Sequence, residues 1–70
     1  MRANRAYELR VSRGGPTSMI EVLEIDTQEL VLFWDVRPDQ VRRFASALKT
    51  DLAQLESETF LDKWARWDQS

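Results

Sequence analysis

The stretch Glu29 to Val36 constrains this chain more than any other, because its side chains leave almost no wet side. Read with a period of two, Leu30, Leu32, Trp34 and Val36 fall on one face, and Val31 and Phe33 on the other. Successive residues of a strand point to opposite faces, so such a segment is ordinarily central in a sheet covered on both sides. The chain has little to cover it with. Its 70 residues suffice for one domain, and a chain of about 60 residues buries only about 60% of the surface its unfolded form exposes. Surplus apolar surface on this strand is the first functional hint.

The flanking segments define the rest of the architecture. Tyr7, Leu9 and Val11 alternate with Glu8, Arg10 and Ser12, the pattern of a half-buried strand over about Ala6 to Arg13. Gly14-Gly15-Pro16-Thr17-Ser18 reads as a five-residue hairpin loop, since glycine permits positive φ and Pro16 cannot donate to a ladder. Met19 to Ile25, rich in β-favouring Ile and Val, is a second strand, and Asp26-Thr27-Gln28 a polar turn into the third. Arg37-Pro38-Asp39 then opens a helix, with proline suited to its first position and an acid near the positive end of its dipole. Val41, Phe44, Ala45, Leu48, Leu52 and Leu55 recur at steps of three and four, one stripe of an amphipathic helix.

Phe60, Trp64 and Trp67 form a second stripe, pointing roughly 120° away from the first on one ideal helix. The mismatch predicts a break near Ser57 to Thr59, and Thr59-Phe60-Leu61-Asp62 matches a capping box opening a second helix. The expected fold is α+β: a three-stranded antiparallel sheet followed by a long amphipathic helix and a short C-terminal helix, βββα or βββαα. Residues 1–70 form a single small domain, with 1–5 as a flexible arm. Strand order stays open, because sequential hairpins favour a meander whereas the dryness of Glu29 to Val36 favours a central place.

With no cysteine and no histidine, the chain has no thiolate, no imidazole base, no Cys or His zinc site and no serine-histidine triad. It also lacks the disulfides and metals that stabilise many domains this small, which leaves self-association. Glu58 and Asp62 lie four apart on the second helix, but exposed carboxylates at this spacing are solubilising charge, and no calcium-loop or P-loop pattern is present. The expectation is a protein that is not an enzyme, with no cofactor, metal or small-molecule substrate.

Two kinds of contact residue stand out. Phe33, Phe60, Trp64 and Trp67 are the partner-binding candidates, aromatic side chains being common interface anchors; the competing use of Phe60 and Trp64 is to fold behind the sheet against Val31 and Phe33 and complete a monomeric core. Charge comes in blocks of +3, −5, +3 and −3 over residues 1–18, 19–36, 37–50 and 51–70. Arg2, Arg5, Arg10, Arg42, Arg43 and Lys49 are therefore candidate phosphate contacts, with Arg13 and Arg37 as neighbours. A pI near 5.0 and the absence of any RNA- or DNA-binding motif make nucleic acid the lesser alternative. The leading expectation is a protein-interaction or assembly module that binds a protein partner or forms a homodimer. No run approaches the roughly 20 apolar residues of a membrane span, and Met1 to Arg5 is followed by alternation rather than an export signal's apolar run, so the expected compartment is cytoplasmic.

Overall fold

Strand alternation in the first half of the chain and helical periodicity in the second build the fold seen in the computed structural model, which describes residues 1–66. The elements are α1 (Ala3–Ala6), β1 (Tyr7–Gly14), β2 (Thr17–Glu24), β3 (Leu30–Val36), a 3₁₀ turn (Pro38–Gln40), α2 (Val41–Gln54) and α3 (Ser57–Ala65). The sheet is antiparallel with order β1-β2-β3. The meander wins because both connections are short hairpin loops, which place sequential strands side by side. As a result β2 is central, and β3, the driest segment by sequence, is an edge strand.

The first hairpin closes more tightly than its glycines and proline suggest. Gly14 pairs with Thr17, leaving a two-residue loop in which Gly15 has φ of 74°. Positive φ at the first loop position, followed by the fixed negative φ of Pro16, has the twist that hairpin strands need. At the other end of the sheet the β2–β3 register shifts: Val22 faces Leu32, yet Leu23 faces Leu30. The extra residue is Val31. Instead of lying with Phe33 on a second dry face, Val31 packs against the core, while Leu30 stays half exposed. A bulge thus breaks the strict period of two.

Ile20, Val22, Leu32 and Trp34 from the sheet meet Ala45, Leu48 and Leu52 of α2 and Phe60 and Trp64 of α3 in one core. The α2 stripe is the one its periodicity predicts, with Val41, Ala45, Leu48 and Leu52 buried and Phe44 and Leu55 packed at its margin. Pro38 sits at the start of the 3₁₀ turn behind an extended Arg37. Where the helices part, Leu55 and Glu56 are extended, with ψ of 155° and 156°. The break falls two residues ahead of the expected Ser57. Glu56, not Thr59, holds the N-cap position of α3, and no side chain caps it.

That earlier break has a tertiary cause. The Ala3 N–H donates to the Leu55 carbonyl and the Ser57 N–H to the Met1 carbonyl, both at 2.9 Å, with Arg2 bridged to Glu56. The Arg2 guanidinium donates to the carbonyl of Gln54, placing a cation at the negative end of α2. Residues 1–5, expected as a flexible arm, are instead docked: an extended dipeptide between helices carries backbone groups that need partners, and the N-terminal segment supplies them. Ala3 is fully buried. Next to it Tyr7 stacks on Phe60 with ring centroids 6.0 Å apart. Burial, then the nearby Glu24 and Glu58 carboxylates, push the Tyr7 phenol above its ordinary pKa.

Two outcomes follow from this packing. Replacing Ala3 with Leu overfills a fully buried site, costing about 1–3 kcal/mol in urea unfolding, a large share of the few kcal/mol a domain this small commands. The raised pKa of Tyr7 makes its protonated form a stabilising one. Its contribution is complete below the unfolded phenol value of about 10 and is lost as pH rises through the higher folded value. Tyr7→Phe has no phenol to ionise at this position. The stability difference between wild type and variant should therefore stay constant up to about pH 10 and move against the wild type above it, as read from urea midpoints across the alkaline range.

Candidate functional site

The core occupies one face of the sheet, and among the described residues no helix covers the opposite face. Cross-strand partners share a face, so its rows are Glu8–Leu23–Leu30, Arg10–Glu21–Phe33 and Ser12–Met19–Asp35. Leu23 is buried there, while Phe33 is 36% and Leu30 49% exposed, and Ile25 at the end of β2 is 40% exposed. These apolar side chains lie on the β2 and β3 half of the face. The β1 half is polar: Gln28 accepts from Arg10 Nη2 at 3.0 Å and donates to Glu8 Oε1, with Arg10 and Glu8 at 3.9 Å from each other. Gln28 reaches both from a backbone φ of 61°, a left-handed conformation that costs a non-glycine residue on the order of 1 kcal/mol. Its side chain also donates to the Ile25 carbonyl at 3.3 Å, which ties the loop to itself.

Of the aromatic contact candidates among the described residues, only Phe33 stands on this surface. Phe60 and Trp64 are buried, in the core on the α2 side of the sheet and not behind the sheet with Phe33. The extended Leu55–Glu56 junction turns α3 so that its stripe, out of phase with α2 on one straight helix, returns to the same layer. Trp64 crosses Trp34 edge-on at 5.9 Å and lies 6.4 Å from Phe60, and Trp34 meets Phe44 at 5.2 Å. Asp51 holds the arrangement, its Oδ2 accepting from Trp64 Nε1 at 2.9 Å and Lys63 Nζ at 2.6 Å. On sequence Asp51 belongs to the solvated face of α2; its partners lie across a helix break, a relation no periodicity reveals. The indole N–H of Trp34 is buried without an acceptor among the described residues. Trp67 lies outside the described residues.

The basic residues do not assemble into one surface. Arg2 is spent on the end of α2 and Arg10 on Gln28 and Glu8, while Arg5 is exposed on α1 and Arg37 pairs with Asp39 at 3.5 Å. Arg42 and Lys49 line a cleft with Arg13, between β1 and α2. Arg43 lines a different one, beside Phe44, Lys63 and Trp64. Asp62, half of the spaced carboxylate pair on α3, is bound to Arg66 at 3.1 Å. Among the described residues no three acidic side chains converge as a metal site would require, and no described helix is long and apolar enough to cross a membrane. Comparison with protein-family models, curated proteins and solved structures finds no match to the chain.

The aromatic residues are separable by mutation. Phe33→Ser removes a side chain that is 36% exposed and should cost about 1–2 kcal/mol. Phe60→Ala empties a fully buried ring site and costs about 3–5 kcal/mol, enough to abolish the cooperative thermal transition of so small a domain. Circular dichroism melts of the two variants distinguish a surface aromatic from a core one.

Proposed function

We propose that this chain is a non-catalytic protein-interaction module, acting in the cytoplasm, whose contact surface is the open face and free edge of the sheet around Phe33. What carries the reading is the one-sided cover of the sheet. The buried aromatic residues Trp34, Phe60 and Trp64 serve the face under α2 and α3, whereas Phe33, Leu30 and Ile25 remain exposed on or beside strands whose other side makes the core. An apolar group of this kind, rimmed by Glu8, Arg10, Glu21 and Asp35, has the apolar centre and polar rim of a protein contact.

A second reading has one observation in its favour. Arg13, Arg42 and Lys49 converge on the cleft between β1 and α2, and among the described residues none of them is in an ion pair. Three unpaired cations suit a phosphate backbone, though the net charge of −2 opposes it at long range. One experiment separates the two. In affinity capture from native lysate, a protein partner that survives nuclease and is lost with Phe33→Ser, but is kept by Arg42→Glu/Lys49→Glu, supports the protein-contact reading. Loss with nuclease and with the charge reversals, and indifference to Phe33→Ser, would replace it with the nucleic-acid one.

A further inference from the structure

At the cleft between β1 and α2, cations stand where local rules disfavour them. Tyr7, Leu9 and Val11 form the row of β1 that packs against the core, and Arg13, two positions on, belongs to the same row. Its cross-strand partner Ser18 is buried, yet Arg13 is exposed, a charge at the end of an apolar row. From α2 come Arg42, Ser46 and Lys49 at steps of four and three, one exposed face of the helix. Arg42 lies in the first turn of α2, which holds no acid, although the helix dipole favours anions at that end and disfavours cations.

The cleft has a volume of about 590 Å³, within the range of small-molecule sites. Val11, Val41 and Ala45 supply its apolar floor, and among the described residues no carboxylate lines it. None of Arg13, Arg42 and Lys49 is in an ion pair, whereas Arg10, Arg37, Lys63 and Arg66 each meet a carboxylate. A cleft of one charge sign over apolar walls focuses its field and gathers counter-ions. Charge and size decide which anion suits it. A phosphomonoester carries about −1.5 to −2 near pH 7 with three acceptor oxygens, a match for three cations and a hydroxyl that a singly charged carboxylate or sulfate ester does not make. The two guanidinium forks can take phosphate oxygens in pairs, and lysine adds a point charge. With these cations included the total charge is still −2, so the rest of the chain is net acidic and repels a polyanion that runs beyond the cleft.

We propose that the β1–α2 cleft binds a small phosphomonoester, its phosphoryl group held by Arg13, Arg42, Lys49 and the Ser46 hydroxyl and its organic part resting on the apolar floor. The site is on the helix-covered face of the sheet and is independent of the Phe33 surface on the other. Phenyl phosphate titrated into the isotope-labelled full chain at constant ionic strength, followed by amide NMR shifts, tests it; phenyl sulfate and a short deoxythymidine strand without a terminal phosphate are the comparisons. Saturable shifts should centre on Arg13 and on Val41 to Lys49. Phenyl sulfate, with the same ring and a single charge, should bind several-fold more weakly, and so should the DNA strand. Lowering the pH through the second phosphate ionisation, at about 6, should weaken phenyl phosphate as it becomes a monoanion. Phenyl sulfate should not respond, because the chain has no histidine and the titratable groups lining the cleft are its three cations. Arg13→Gln, Arg42→Gln and Lys49→Gln should each weaken phenyl phosphate by about tenfold, and Arg5→Gln, an exposed cation of α1, should not; circular dichroism confirms that each variant is folded. No saturable shift, equal binding of phenyl sulfate, or indifference to all three substitutions overturns the proposal. Tighter binding of the DNA strand overturns it too and places a nucleic-acid backbone in the cleft instead.

Discussion

Two backbone hydrogen bonds, Ala3 N–H to the Leu55 carbonyl and Ser57 N–H to the Met1 carbonyl, hold the chain extended where α2 would otherwise run on into α3. The direction of α3, and with it the composition of the core, depends on that interruption. On a continuous helix Phe60 and Trp64 would face away from the α2 stripe; with Leu55 and Glu56 extended they enter the layer already formed by Leu48, Leu52 and Trp34. Asp51 then accepts from Trp64 and Lys63 together, which joins the two helices by a charge-assisted contact. A small domain without disulfides gains a larger core in this way, at the cost of ordering its first residues.

Gathering the aromatic residues on one side leaves the other side of the sheet uncovered. The two consequences are linked. Had α3 wrapped behind the sheet, Phe33 would have been buried with Val31; because it joins α2, the β2–β3 half of the back face keeps Leu23 sheltered and Phe33 and Leu30 exposed. The meander also leaves the same strand at an edge that no described strand pairs. Apolar side chains and an edge that no described strand pairs thus coincide on β3.

The distribution of cations argues in the same direction. Six basic residues that share a block pattern on paper are divided by the fold among a helix-terminal contact, a loop network, two separate clefts and open solvent. A phosphate chain bound by several of them at once would need them along one track, and of the six only Arg42 and Lys49 share a cleft, with Arg13 beside them. Charge blocks in a sequence do not specify a charged surface, because helix and strand periodicity redistribute neighbours to different faces.

Much of the fold was legible in the residues themselves. Alternation at Tyr7 to Val11 identified β1, Pro38 and the stripe from Val41 to Leu52 identified the long helix, and the phase change at Phe60 signalled a break. These are local properties: side-chain direction repeats every two residues in a strand and every 3.6 in a helix, so a window of a few residues suffices. The place of the break, the docking of residues 1–5, the role of Asp51, the bulge that turned Val31 inward and the edge position of β3 were decided only in three dimensions. Each depends on which distant groups satisfy a backbone amide, a carboxylate or an apolar face, and sequence separation carries no record of that. Amino-acid order determined one layer of helix on one three-stranded sheet and an excess of apolar side chains; tertiary packing decided that Phe60 and Trp64 would be core and that Phe33 would face out.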